Sequence, residues 1–363
     1  MKIINLSILT VLAITASACS NRFSWTLKVK DKPVVSYNND RTSDSSKSVE
    51  KIDIVDSIKM IKLEEDGHSP INVIAQFENL DSVFIVRDLD NAYRFDRNGK
   101  FLNQFGKEGT DYKRLDTFML DSLDHVLLVD GCSKKMLVFN QDGTLIQSRE
   151  FSSKKHDFIN AGTLLQDGSI LMNNAIFNLD NNLYTLLKPS ETACTDIMHT
   201  QLNSKEIAFP MGRHPISNWN GSLRLTNPYD NHFFTLDKNG LPIKDLTIQT
   251  ALSTPGTDIL SKPQNQIDLY STLRKSSEYF LGYTSIFETE NYLILENMYN
   301  ECFYVDKYDI TGDQIKEKDI KYLILPTSGK ELIGASDKAF YIADSSHDTI
   351  EVFFLKHKES ACK

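Results

Sequence analysis

The side chains best suited to grip a ligand are Arg213 and His214, neighbours in one long loop, because a guanidinium can hold a carboxylate or phosphate with two parallel hydrogen bonds. Arg87, Asp130, Tyr229, Tyr299 and Asp344 stand at or just past the ends of predicted strands. Together they offer donors, acceptors and two tyrosine faces. Each also has a structural reading, since Asp caps strand ends and satisfies exposed backbone N–H groups, and Arg213 can pair with a carboxylate of the protein itself. The chemistry they suggest is recognition rather than bond breaking.

Compact catalytic patterns are missing. The chain has no His-Glu-x-x-His helix for a zinc protease and no Gly-x-Ser-x-Gly elbow for a serine hydrolase. Asp88-Leu89-Asp90-Asn91 and Asn178-Leu179-Asp180-Asn181-Asn182 look like calcium loops, but neither continues with the glycine and distal glutamate of an EF-hand, and both read as turns. The 8 histidines are scattered singly, and with 49 acidic residues the presence of carboxylate pairs is uninformative. No catalytic residue, metal or cofactor is assigned.

These residues need a scaffold, and a repeat supplies it. Tyr93-Arg94-Phe95-Asp96-Arg97-Asn98-Gly99-Lys100-Phe101 is a strand, a polar turn ending in glycine, and a second strand. Val138 to Leu145, Phe234 to Leu241 and Val305 to Gly312 repeat the pattern. Glycine gives the positive φ that a tight hairpin requires. Copies at intervals of about 45 residues, or roughly twice that where one has decayed, mark a radially repeated all-β fold.

Counting strands around these turns gives a six-bladed β-propeller. The sixth blade lacks a fourth strand at the C-terminus, while an extra strand, Ser57 to Leu63, precedes the first blade, so the N-terminal strand is expected to close the ring. A fourth strand of the fifth blade is expected over Gln314 to Ile320, and the third blade is expected to have a degraded last turn at Lys188-Pro189-Ser190-Glu191. One short helical insertion is expected near 256–278, from the apolar spacing of Ile267 to Arg274. Long connections and the loops between second and third strands share one face, which is where a site is expected.

At the N-terminus, Met1-Lys2, an apolar run from Ile3 to Ile14 and Ala16-Ser17-Ala18 before Cys19 form an export signal of the lipoprotein kind, with Cys19 as the lipidation site. The alternative is an ordinary secretory peptide with an incidental cysteine. The expected organisation is a signal peptide over 1–18, a flexible tether over 19–50, a propeller over 51–356 and a tail over 357–363. The polar tether has too little apolar content to fold. A net charge of −9 argues against nucleic acid as a partner.

The whole resembles the uncharacterised six-bladed β-propeller lipoproteins of Bacteroidetes, relatives of the NHL-repeat propellers. Phe95-Asp96-Arg97-Asn98-Gly99-Lys100-Phe101-Leu102 followed by Phe105-Gly106-Lys107-Glu108-Gly109 is similar to the family's first-blade ending, although Thr110-Asp111-Tyr112-Lys113-Arg114 replaces its usual Gly-Pro-Gly-Glu-Tyr continuation. The resemblance implies the fold and an exported address, and brings no catalytic residues. The absence of acidic residues in Ser20-Asn21-Arg22-Phe23 points to the periplasmic side of the outer membrane. The expected function is a monomeric, membrane-anchored binding or scaffold module for a protein, peptide or glycan. The alternative is a polysaccharide or peptide lyase or hydrolase with its site in the central channel.

Overall fold

The computed structural model describes residues 54–356 except 65–69, 72, 153–157, 175–181, 200–213, 228, 261–272, 274–275, 277, 281, 298–301, 324–329 and 345–347. The first blade is built from β2 (Gln76–Asn79), β3 (Val83–Arg87), β4 (Ala92–Asp96) and β5 (Phe101–Phe105). The second follows with β6 (Thr117–Leu120), β7 (Val126–Asp130), β8 (Lys135–Phe139) and β9 (Leu145–Glu150). The third has β10 (Ile159–Leu164), β11 (Ile170–Asn174), β12 (Asn182–Leu187) and β13 (Thr195–His199). The fourth has β14 (Ile216–Trp219), β15 (Ser222–Thr226), β16 (His232–Leu236) and β17 (Pro242–Gln249).

The fifth blade contains β18 (Ser285–Glu288), β19 (Tyr292–Glu296), β20 (Cys302–Asp306) and β22 (Lys321–Leu323). The sixth consists of β23 (Lys330–Ala335), β24 (Ala339–Asp344) and β25 (Thr349–Leu355), completed by β1 (Val55–Lys62), which pairs antiparallel with β25 from Val55↔Leu355 to Lys62↔Thr349. The fold is thus an all-β, six-bladed propeller closed by its N-terminal strand.

Blades bury both faces, so second strands such as β3, β7 and β19 carry four successive buried apolar residues instead of alternating. On β3, Phe84 and Val86 enter the layer shared with the sixth blade, while Ile85 enters the layer shared with the second. The core is accordingly a set of apolar layers, one between each pair of neighbouring blades. The glycine turns fit into this stacking. Gly99 has φ +87, and a Cβ there would lie 2.1 Å from the carbonyl oxygen of Lys62, at the end of the closing strand.

Two expectations need correction. The Val305 to Gly312 copy is not a hairpin: a 3-10 turn spans Lys307–Asp309, and the chain then crosses to the fourth blade, where β21 (Gln314–Lys316) pairs parallel with β17. The expected Gln314 to Ile320 strand therefore divides, and the outer strand of the fifth blade is β22. In the third blade, a full outer strand, β13, follows the degraded turn. The helical insertion is present as one turn, Thr257–Leu260, with Leu273 and Ser276 also helical, and most of Ile267 to Arg274 lies outside the described residues. Its base is pinched by Ser253 N–H donating to Glu278 O and Phe280 N–H to Ser253 O.

Candidate functional site

The face bearing the inter-blade connections is organised by buried polar groups at strand ends. Arg87, the last residue of β3, donates from Nη1 to the carbonyls of Asp88 and Leu115, each at 3.3 Å. Asp130 closes β7 and accepts the N–H groups of Lys113 at 2.7 Å and Ser133 at 2.8 Å. Burial works to raise the Asp130 carboxyl, and the hydrogen bonds from Ser133 and Lys113 outweigh it and hold the group below its usual range. Asp116 adds a pair to Arg114, with Nε–Oδ1 at 2.6 Å, and accepts Gly131 N–H at 2.8 Å. Arg87 and Asp130 thereby hold the 106–116 connection by its backbone.

Tyr229 is 2% exposed and takes a left-handed φ of 64. His214 rests on the Phe287 ring, 4.6 Å between centroids, and its carbonyl accepts Ile286 N–H at 2.8 Å, which ties the entry of the fourth blade to the fifth. Asp344 ends β24, opposite Lys330 on β23. Arg213, Tyr299 and Cys19 lie outside the described residues. The structure therefore brings Arg87 and Asp130 to one connection and places His214 and Tyr229 at another blade.

Beside the first connection lies a cleft of about 410 Å³ lined by Asp88, Asp90, Asn91, Gln104, Lys107 and Glu108, with Pro70, Val73 and Leu89. Its floor is fixed by Gln104 Nε2 and Tyr112 Oη donating to Asn91 Oδ1, at 2.8 and 3.2 Å. Asp88 Oδ1 accepts Asp90 N–H at 2.8 Å and Asn91 N–H at 2.6 Å, so it shapes the turn that presents Asp90. Burial pushes the Asp88 carboxyl up, as it does Glu108, where repulsion from Asp90 and Asp88 adds to it. Sequence reasoning read Asp88 to Asn91 as a turn rather than a calcium loop and did not join it to Gln104 or Glu108. Gln104 and Glu108 escaped notice because they reach this cleft through the β4–β5 pairing and the fold of the connection.

The opposite face is stapled across three blades. Glu288, at the end of β18, is paired with Arg224 on β15 and with Lys307, whose Nζ is 2.7 Å from Glu288 Oε1. Arg224 Nε also reaches Asp245 Oδ2 at 3.0 Å, and Lys307 lies 4.0 Å over the Trp219 ring. Trp219 Nε1 donates to Asp337 Oδ1 at 3.2 Å, which joins the fourth blade to the sixth. These partners are far apart in sequence and left no local signal. Among the described residues, no three His, Cys, Asp or Glu side chains converge in a way that could hold a metal.

The model of a family described as Domain of unknown function (DUF4934) matches residues 34–354. No curated protein matches the chain. Its fold is similar to that of a protein described as exported from Bacteroides fragilis NCTC 9343, with a TM-score of 0.64 and 17% identity over 86% of this chain and 98% of that one. A member of the DUF4221 family from Bacteroides vulgatus gives a TM-score of 0.52 at 12% identity, over 84% of this chain and 97% of that one. Virginiamycin B lyase from Staphylococcus aureus gives 0.50 at 12% identity, over 83% and 99%. At such identities the likeness is one of fold. Among the described residues no helix is long and apolar enough to cross a membrane.

Proposed function

The chain belongs to the family described as Domain of unknown function (DUF4934), and from that membership and the geometry of its ring we propose that it is an outer-membrane lipoprotein acting as a non-catalytic binding or scaffold module for a protein, peptide or glycan. A lipid on Cys19 holds it to the membrane, the tether over 19–50 sets its reach, and the propeller works on the periplasmic side. The observation that supports the binding role is the polar cleft at Asp88, Asp90, Asn91, Gln104, Lys107 and Glu108. Its carboxylates and carboxamides match the hydroxyls of a sugar or the N–H groups of a peptide, and a stacked ring of blades holds them in fixed positions.

Two measurements test this. The full chain in detergent is screened against immobilised glycans and peptides beside an Asp90→Asn/Glu108→Gln double variant. At least a fivefold loss of signal in the variant is expected, and equal signals would exclude the cleft. Separately, Cys19→Ser should move the protein out of the membrane fraction, whereas unchanged retention would sink the lipid anchor.

A further inference from the structure

The face cleft of the first blade is assembled from separate segments: Pro70 and Val73 in the connection from β1 to β2, Asp88 to Asn91 between β3 and β4, and Gln104, Lys107 and Glu108 where β5 runs into the next connection. Its hydrogen-bonding groups are unevenly divided. Gln104 Nε2 spends both N–H groups inside the protein, on Asn91 Oδ1 at 2.8 Å and on the carbonyl of Gly106 at 2.8 Å, so its side-chain carbonyl is what remains for a ligand. Asn91 Oδ1 is taken up by Gln104 and by Tyr112 Oη at 3.2 Å. Asp88 is 8% exposed and is held by the N–H groups of Asp90 and Asn91 and by the Tyr93 hydroxyl, so it lends the cleft charge rather than a free contact. The carboxylates of Asp90 and Glu108 are exposed and, among the described residues, have neither a hydrogen-bond nor an ion-pair partner.

Resting on the cleft as the binding site, we infer that its ligand is an organic cation on an aliphatic stem: an ammonium or guanidinium group, as at the end of a lysine or arginine side chain of a peptide. The free groups of the cleft are mostly acceptors, Asp90, Glu108 and the Gln104 carbonyl, against the donors Asn91 Nδ2 and Lys107 Nζ. Sugar hydroxyls both donate and accept, whereas ammonium and guanidinium groups only donate. Charge points the same way. Asp88, Asp90 and Glu108 face a single lining cation, Lys107, and the charges that act on Glu108 are the repulsive ones of Asp90 and Asp88.

The other ligand classes fit less well. An anion would meet like charge at Asp90 and Glu108. A metal ion is disfavoured because, among the described residues, no three His, Cys, Asp or Glu side chains converge to hold one. The rest of the lining suits a stem. Pro70, Val73 and Leu89, the last 49% exposed, offer apolar surface beside the carboxylates, along which the methylenes of a basic side chain can lie while its head reaches the acids. At about 410 Å³ the cleft has the size of a small-ligand site, enough for such a side chain with its flanking backbone.

The test is calorimetric titration of the full chain in nonionic detergent with a blocked glycine pentapeptide carrying one central lysine, and with the same peptide acetylated on that lysine. The lysine peptide should bind at least about fivefold more tightly than its acetylated twin, and raising salt from about 50 to about 300 mM should weaken it at least about threefold. Equal affinities for the two peptides, or no binding of either, overturn the inference. Asp90→Asn/Glu108→Gln removes charge with little change of shape at exposed positions and should erase the preference for the lysine peptide; a preference that persists also overturns it. Cadaverine then separates two sources of the same group. Displacement of the peptide at equal concentration assigns the cleft to free amines, and failure to displace assigns it to peptides, both with the cation upheld. A glycan that binds wild type and not the double variant, with the lysine peptide inert, keeps the cleft as the binding site and overturns the cationic ligand alone. If no glycan or peptide distinguishes wild type from the variant, the cleft itself falls.

Discussion

Asp130 shows how a residue chosen for binding can belong to the scaffold. It is 1% exposed and accepts N–H groups from two different segments, so its removal leaves two part-buried donors without this acceptor. Asp130→Ala should cost about 3 kcal/mol, read by urea unfolding, whereas a cost under about 0.5 kcal/mol would mean the connection is held by other contacts. Glu78 gives a prediction of a different kind. Its carboxyl is raised from an ordinary value of 4.5 to about 7, so the folded protein holds that proton more tightly than the unfolded chain. The stabilisation is complete below pH about 4.5 and is lost as pH rises through about 7. Relative to Glu78→Gln, the wild type should lose thermal stability between pH about 5 and about 8, and parallel curves would show that the carboxyl is hydrated normally.

At the scale of elements, the glycine turns serve two roles. Gly99 takes a positive φ and lies against the backbone at the end of β1, with Glu64 N–H donating to Gly99 O at 2.7 Å. Gly99→Ala should therefore destabilise by at least about 2 kcal/mol, from the strained φ and from the displaced strand end. A melting temperature equal to wild type would refute that contact. Gly143 is used in the same way against the outer strand of the first blade, with Gln104 O 2.8 Å from where its Cβ would be. Gly312 is the exception: nothing lies within 4 Å of its Cβ position, and it sits in the crossing between blades rather than in a hairpin. β13 was missed because Thr195-Asp196-Ile197-Met198-His199 is an outer strand, largely exposed, and lacks the apolar run that marks the inner ones.

For the whole molecule, closure is the decisive feature. β1 covers the outer edge of β25, and its Ile61 contributes to the apolar layer between the sixth and first blades. A chain lacking residues 50–63 should expose β25 as an unpaired edge and self-associate, as judged by size-exclusion chromatography and by faster amide exchange in β24 and β25. A monomer with unchanged exchange would show that closure is dispensable. β21 adds a second tie, since a strand from the fifth blade extends the fourth, and the Glu288 staple lies beside it on the same pair of blades. The face opposite that staple keeps the acidic cleft.

Turn chemistry and strand composition sufficed for the all-β class, the blade count and the closing strand, because each is set by residues within one hairpin or by a shortage of strands at one end of the chain. Only the tertiary structure decided that Arg87 and Asp130 position backbone, that Gln104 and Glu108 meet Asp88 in one cleft, and that burial raises the Asp88 and Glu108 carboxyls there. Those outcomes depend on contacts between strands and blades distant in sequence, and burial, hydrogen bonding and carboxyl ionisation are properties of such contacts rather than of the residues alone.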